Sequence, residues 1–188
     1  MPHPAEHPRL PPGTGHAAQL GVPPEHVPHP GDGWVECSCG RRHWGLHGAA
    51  GLLLARRGPD GTADAVVLQH RAMWSDQGGT WGVPGGARAP GESPVRAALR
   101  EAAEEAGIDA AAVTVLGTHL LDHGEWSYVT VLADATGDLD PRPTDAESLE
   151  IAWVASDDVA ALPLLPAFAA AWPTLRARLD GDSARPAS

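Results

Sequence analysis

The chain contains no lysine; all 13 of its Lys/Arg side chains are arginines. It therefore has neither the lysine of a phosphate-binding loop nor an amine that could form a Schiff base. Cysteine is almost as scarce. Cys37 and Cys39 are the two present, too few for a disulfide framework and, one residue apart, poorly placed to bridge each other, so a reducing compartment is expected. No apolar run approaches the ~20 residues a membrane-spanning helix requires, and the longest, around Ala49 to Ala55, is about a third of that. The opening residues MPHPAEHPRLPPG lack a basic start followed by an apolar stretch, so no secretory signal is expected and the expected location is the cytoplasm. Positive charge is in deficit. The formal net charge of -11 argues against a nucleic-acid polymer as partner, because gripping a phosphate backbone takes clustered cations. A small anionic substrate would need a bound metal or local arginines to overcome the general repulsion.

At 188 residues and 43% hydrophobic content the chain suits one domain with a core of its own and some length to spare. Residues 1–33 hold nine of the nineteen prolines and five of the ten histidines with almost no periodic apolar pattern. They read as a disordered tail, its histidines either solvated or weak metal ligands. The folded domain is expected over residues 34–180, with a short second tail at 181–188. Within it, GAAGLLLARR (48–57) and AVVLQHR (65–71) read as two strands joined by the turn GPDGTAD, and TWGVPGG (80–86) as a strand end and sharp turn. Ser93 as N-cap, Pro94 at the first helical position and Gly107 at the C-terminal end define a helix over 94–106. VTVLGTHLLDH (113–123), EWSYVTVLADA (125–135) and EIAWVAS (150–156) read as strands. PAFAAAWPTLRARL (166–179) reads as a helix that Pro173 breaks or kinks. Strands flanked by helices give an α/β fold, an α/β/α sandwich around a mixed sheet.

The stretch GGARAPGESPVRAALREAAEEAGI (85–108) carries an oddity. At 100° per residue Val95, Ala98, Leu99, Ala102 and Ala106 form one apolar stripe, while Glu101, Glu104 and Glu105 share the opposite face. The like-charge pairs cost roughly 0.2–0.5 kcal/mol each, and acids near the negative end of the helix dipole cost about 0.3–1 kcal/mol each. Either solvent absorbs this or a cation does. The Gly-rich, proline-pinned backbone at Val83 to Gly86 can bring a carbonyl near whatever the acids hold. Clustered carboxylates with a carbonyl and water are hard-oxygen ligands suited to Mg²⁺ or Mn²⁺.

Gly86, five residues, Glu92, seven residues, then Arg100-Glu101-Ala102-Ala103-Glu104-Glu105-Ala106-Gly107-Ile108 resembles the Nudix box, G-x5-E-x7-R-E-U-x-E-E-x-G-U, at every specified position, with Ala102 the mildest occupant of an apolar slot. WGVPGG just before it is also typical. The resemblance implies a Nudix-type fold over residues 45 to 175 and hydrolysis of a nucleoside diphosphate linked to another moiety, by in-line attack of water with divalent-metal assistance. It implies that Glu104, Glu105 and the Gly86 carbonyl ligate metal, and that Glu101 does so directly or through water while being the box candidate for general base. Arg100 would orient these carboxylates, and Glu92 would support the loop or reach metal through water. Some relatives take the base from a later loop, where Glu147 and Glu150 are the candidates, unless both are simply exposed acids.

Substrate choice lies outside the box. The proline that ADP-ribose hydrolases place some fifteen residues past it is missing between 109 and 140, and the long aromatic and proline motif of NADH hydrolases is missing too. A MutT-like enzyme acting on nucleoside triphosphates, releasing a monophosphate and pyrophosphate, is the favoured expectation. ADP-ribose or another nucleotide sugar is the alternative substrate, and a non-catalytic nucleotide-sensing module the alternative of another class. His70 and Arg71 are candidates to meet phosphates or a base, or are surface polar residues. Trp74 and Trp81 either stack on a base or fill the core. Family members often dimerise, so a homodimer is a further expectation. Finally, CSCGRRHWGLH sets Cys37, Cys39, His43 and His47 as C-x-C-x3-H-x3-H, either a zinc site of unusual cysteine spacing or a strand with cysteines acting as small apolar residues.

Overall fold

The computed structural model describes residues 28–182. The tail expectations for residues 1–27 and 183–188 lie outside the described residues. From His29 onward the backbone is tied to the domain: the Asp32 N–H donates to the His29 carbonyl at 2.9 Å, and the carbonyls of Gly31 and Gly33 accept from Leu46 and Gly45 at 2.8 and 2.7 Å.

The chain runs through β1 (Trp34–Glu36), β2 (Arg42–Trp44), β3 (Ala49–Arg57), β4 (Ala63–Arg71), β5 (Trp81–Gly82), β6 (Gly85–Ala87), α1 (Pro94–Ala106), β7 (Val113–Asp122), β8 (Ser127–Ala135), β9 (Ser148–Ala155) and α2 (Pro166–Asp182). β1 and β2 form a separate two-stranded hairpin. The other strands form one sheet along β5-β4-β3-β8-β7, with β6 pairing β3 and β9 pairing β4. β3 and β8 run parallel and the other pairs antiparallel, so the sheet is mixed, as expected.

The unbroken apolar run in β3 follows from burial on both faces. Leu52 and Leu54 join Val67, Val131 and the α1 alanines Ala97, Ala98, Ala102 and Ala106 in one core. Leu53 points the other way, joining Val66, Leu68, Leu132 and the α2 residues Trp172, Leu175 and Leu179 in a second. Two cores separated by one sheet make the α/β/α sandwich. Small alanines on α1 let the helix approach the sheet closely and set its neighbouring side chains against the loop before it.

α1 begins and ends as its sequence dictates. The Ser93 side chain accepts the Arg96 N–H, Pro94 opens the helix, and Gly107 closes it with φ 65°, a left-handed conformation that favours glycine. The last-turn carbonyls find partners in a loop forty residues on: Arg142 N–H donates to Ala106 O and Thr144 N–H to Glu105 O, both at 3.1 Å, while the Thr144 hydroxyl donates to Glu104 O. This leaves few orphan acceptors at the end of the helix. Of the break or kink expected at Pro173, the break does not occur. α2 continues to Asp182 with Pro173 inside it, because Trp172, Leu175 and Leu179 on either side of the proline are anchored in the second core. Among the described residues no helix is long and apolar enough to cross a membrane.

Candidate active site

β6 and α1 place the box residues against one another. Arg100 is the hub. Its Nε and one terminal nitrogen donate to the two Glu92 carboxylate oxygens at 3.1 and 3.0 Å, and that same terminal nitrogen donates to the Ala87 carbonyl at 3.0 Å. Its other terminal nitrogen donates to Glu101 at 2.8 Å and Glu104 at 3.0 Å. Glu92 in turn accepts the Ala89 N–H at 2.9 Å, pinning the loop. The Arg100 guanidinium holds the Glu92 carboxyl below the usual carboxylate range, so Glu92 is a fixed anion that anchors Arg100 at the site.

The three clustered acids do not share one solvated face. The Glu104 side chain is 58% exposed and that of Glu101 13%, and Glu105 is buried at 5%, accepting the Gly85 N–H at 2.8 Å. β6 covers the face that a helical wheel assigns to water. Gly86 explains how Glu101 fits beneath it, since a Cβ at that position would lie 2.7 Å from the Glu101 carboxylate. Burial pushes Glu101 up to about 7, against the pull of Arg100, with the charges of Glu104 and Glu147 acting in the same direction as burial. Burial also raises Glu105 well above the ordinary carboxyl value, helped by Glu101, Asp145 and Glu147 and opposed by the Gly85 N–H.

The loop before β9 thus brings further acids to the helix. Glu147, a candidate from the sequence, is close enough for its charge to act on both Glu101 and Glu105. Glu150 lies on β9 opposite His70 and is exposed. Two site residues were not anticipated. Asp145 accepts the Glu147 N–H at 3.0 Å, and loss of solvation raises its pKa, with Glu104 adding to the rise. Tyr128, on β8, has its hydroxyl pKa raised by burial and then by the charge of Glu105; glycine at position 51 makes room for that hydroxyl, which a Cβ there would strike. The available signal for Tyr128 was that it is the only tyrosine of the chain, and for Asp145 that it lies two residues before the candidate Glu147.

The proposed substrate contacts divide. Arg71 is half-buried, donates to the Asp76 carbonyl at 3.3 Å, and its charge is felt at the Tyr128 hydroxyl. His70 stacks on Trp81 with ring centres 4.7 Å apart and planes 7° apart, its Nε2 lying 3.2 Å from the Gly79 carbonyl. Trp81 is 9% exposed and belongs to the α2-side core, so it offers no open face to a base. Its partner in β-sheet pairing, His70, covers it instead. Trp74 is half-buried.

Cys37, Cys39 and His43 come together, but the fourth member of their group is His123 from the β7–β8 turn. The expected His47 is not part of it and lies exposed beyond β2. The β1–β2 hairpin folds over that turn, and the fourth donor comes from a strand end remote in sequence.

The donor chemistry of the box fits a divalent cation. Desolvation and mutual repulsion raise the pKa of the buried Glu105 and the largely buried Glu101, with Glu104 beside them, and a hard cation relieves that repulsion.

Residues 45–176 match the NUDIX domain. Over 171 residues, 89% of this chain, the sequence is 53% identical to a nucleoside triphosphate pyrophosphatase/Nudix hydrolase fusion protein of Bifidobacterium longum, though the chain spans only 35% of that protein. It is 52% identical over 158 residues, 81% of this chain and 72% of the relative, to a Mycobacterium tuberculosis protein provisionally named 8-oxo-dGTP diphosphatase 3. The crystal structure of the M. smegmatis Nudix hydrolase RenU superposes with a TM-score of 0.73 at 48% identity, covering 84% of this chain and 99% of that one. The chain belongs to the Nudix family, a class of hydrolases that act on substrates containing a nucleoside diphosphate and generally use a divalent metal.

Proposed function

We propose that this protein hydrolyses a nucleoside triphosphate, with an oxidised purine nucleotide as the first candidate, to a nucleoside monophosphate and pyrophosphate. The observation that carries the hydrolytic reading is the loop–helix carboxylate group, in which Glu105 is buried against β6 and held by the Gly85 N–H, and Glu101, 13% exposed, is held by Arg100. The substrate reading is supported by the names of relatives, an 8-oxo-dGTP diphosphatase of Proteus vulgaris at 38% identity over 73 residues beside the mycobacterial protein, and by the missing proline after the box.

Glu104, Glu105, Glu101 and the Gly86 carbonyl are the groups that would hold Mg²⁺ or Mn²⁺. When bound, the cation supplies charge neutralisation on the phosphate oxygens and acidifies the attacking water. The protein's own part is positional. Arg100 keeps Glu101 and Glu104 in fixed rotamers through directed hydrogen bonds and ties them to the loop through Glu92 and Ala87. Glu101 accepts the proton of the water that attacks phosphorus; the new P–O bond forms as the bridging P–O bond breaks and pyrophosphate leaves with the bond's electron pair. Glu147 raises the basicity of Glu101 through its charge. Tyr128 and Arg71 border the same site, where Arg71 supplies the positive charge that an anionic substrate needs in a chain of net charge -11.

The test is incubation of the protein with 8-oxo-dGTP, unmodified nucleoside triphosphates, ADP-ribose and nucleotide sugars in Mg²⁺, followed by resolution of products. Monophosphate and pyrophosphate from a triphosphate is the expected result. Preferential cleavage of ADP-ribose or a nucleotide sugar would overturn the substrate reading, and no turnover of any substrate would favour a nucleotide-sensing module.

A further inference from the structure

We infer that the protein carries a second metal centre, a closed structural zinc site formed by Cys37, Cys39, His43 and His123, separate from the carboxylate site. Each of these residues offers one ligand atom, and the four atoms all lie within 4.8 Å of one another. Tetrahedral zinc, with bonds of about 2.3 Å to sulfur and 2.0–2.1 Å to nitrogen, needs its ligands roughly 3.3–3.8 Å apart, so only small side-chain movements separate this arrangement from coordination. One edge is already that short, with Cys39 Sγ 3.2 Å from His43 Nε2. Two thiols and two imidazoles form a borderline-soft set that selects zinc over the hard cations of the carboxylate site.

The surroundings support the group as a built cluster. The Cys39 N–H points at Cys37 Sγ at 3.5 Å, as suits a sulfur that will carry negative charge. The His43 ring is stacked on Trp126, with centroids 4.3 Å apart, and lies 4.7 Å from the His123 ring, which fixes its plane. In β2 the Arg42 guanidinium sits 4.4 Å over the Trp34 ring.

The architecture also calls for a fastener. β1 and β2 have three residues each and form a sheet apart from the main one, and a lone two-stranded hairpin is marginal in water. What joins it to the β7–β8 turn is the packing of the His43 ring on Trp126 and His123 and a handful of polar contacts: Trp126 Nε1 to the Trp44 carbonyl at 3.0 Å, the Ser38 hydroxyl to Glu125 at 2.9 Å, and weak contacts of Cys37 Sγ with the His123 carbonyl and Glu125 at 3.8 and 3.6 Å. Coordination replaces those two sulfur contacts with metal bonds. Each zinc bound releases two thiol protons to solvent and links three ligands on the hairpin to one on the turn. The same turn leads directly into β8, on which Tyr128 borders the carboxylate site, so the fastener would also hold the start of that strand.

The test uses the full chain without a His tag, produced in zinc-supplemented medium and purified without chelator. Elemental analysis is expected to give about one zinc per chain. Cys39→Ser and His123→Ala should each bring zinc close to zero, while His47→Ala should retain it. Cys39 is exposed, so Cys39→Ser removes a ligand without opening the core. Cobalt in place of zinc should show tetrahedral d–d bands and a thiolate charge-transfer band, lost in Cys39→Ser. Alkylation of Cys39 should be slow until a chelator is added. Near-zero zinc in folded wild-type protein, unchanged zinc in Cys39→Ser and His123→Ala, or alkylation at one rate with and without chelator would overturn the inference.

Discussion

The buried Glu105 carboxyl accepts the Gly85 N–H at 2.8 Å, so a charged side chain in the last turn of α1 is turned into the protein and closed over by the loop that precedes the helix. A solvated face would tolerate three clustered acids at a cost of order 1–3 kcal/mol. Desolvation of two of them makes the cost larger and local, which is a reason for the site to take up either protons or a divalent cation.

The first prediction concerns pH and the metal-free protein. Glu101 has its folded pKa raised to about 7, above its ordinary value, so between roughly pH 4.5 and 7 the folded chain holds a proton that the unfolded chain has lost. Stability from this group is therefore present at low pH and lost as pH rises through about 7. Glu105 is shifted the same way. Glu101→Gln should raise the stability of metal-free protein at pH 8 by roughly 1–3 kcal/mol, with little effect at pH 4.5, as followed by thermal melts at both pH values.

Metal uptake follows with the opposite slope. A cation that binds these carboxylates displaces their protons, so Mg²⁺ should stabilise the protein little at pH 5.5 and progressively more toward pH 8. Melting temperature against Mg²⁺ concentration at several pH values measures it. An equal Mg²⁺ shift at both ends would contradict the coupling.

Arg100→Lys should not be tolerated despite the retained charge. A lysine cannot hold both oxygens of Glu92 while reaching Glu101, Glu104 and the Ala87 carbonyl. The expected loss is about 2–4 kcal/mol of stability in denaturant titration and, in the folded fraction, a kcat reduced at least tenfold.

Gly86→Ala should separate activity from folding. The added Cβ meets a side-chain carboxylate at 2.7 Å, and Glu101 can swing away more easily than the backbone can move. A large fall in kcat with a change in melting temperature of only a few degrees is expected; unchanged kcat would show that the position of Glu101 does not matter.

α1 was legible because its signals are local: Ser93, Pro94 and Gly107 sit where a helix needs them, and the alanine stripe names the buried side. β3 and β8 were legible as apolar runs bounded by turn residues. The direction of the acids was not, because a helical wheel knows only one covering layer, and the second cover, β6, is placed by strand pairing of Gly86 with Ala50. The β1–β2 hairpin was missed because three-residue strands are too short to show alternation. His123 stands eighty residues from His43, and only the fold brings their rings to 4.7 Å. For Trp81 the sequence favoured core packing over stacking on a base, and its burial under the stacked His70 ring agrees.

The most direct test of the account is the turnover of 8-oxo-dGTP and unmodified nucleoside triphosphates in saturating Mg²⁺ by wild type and by Glu105→Gln. Glutamine keeps an acceptor for the Gly85 N–H, removes the buried charge and removes a metal ligand. Glu105→Gln is expected to fold and to be at least as stable as wild type without metal at pH 8, with kcat lowered by more than about 100-fold, beyond the usual effect of a residue that merely supports a ligand. Turnover equal to wild type would contradict it, because the carboxylate buried against β6 would then have no part in holding the cation.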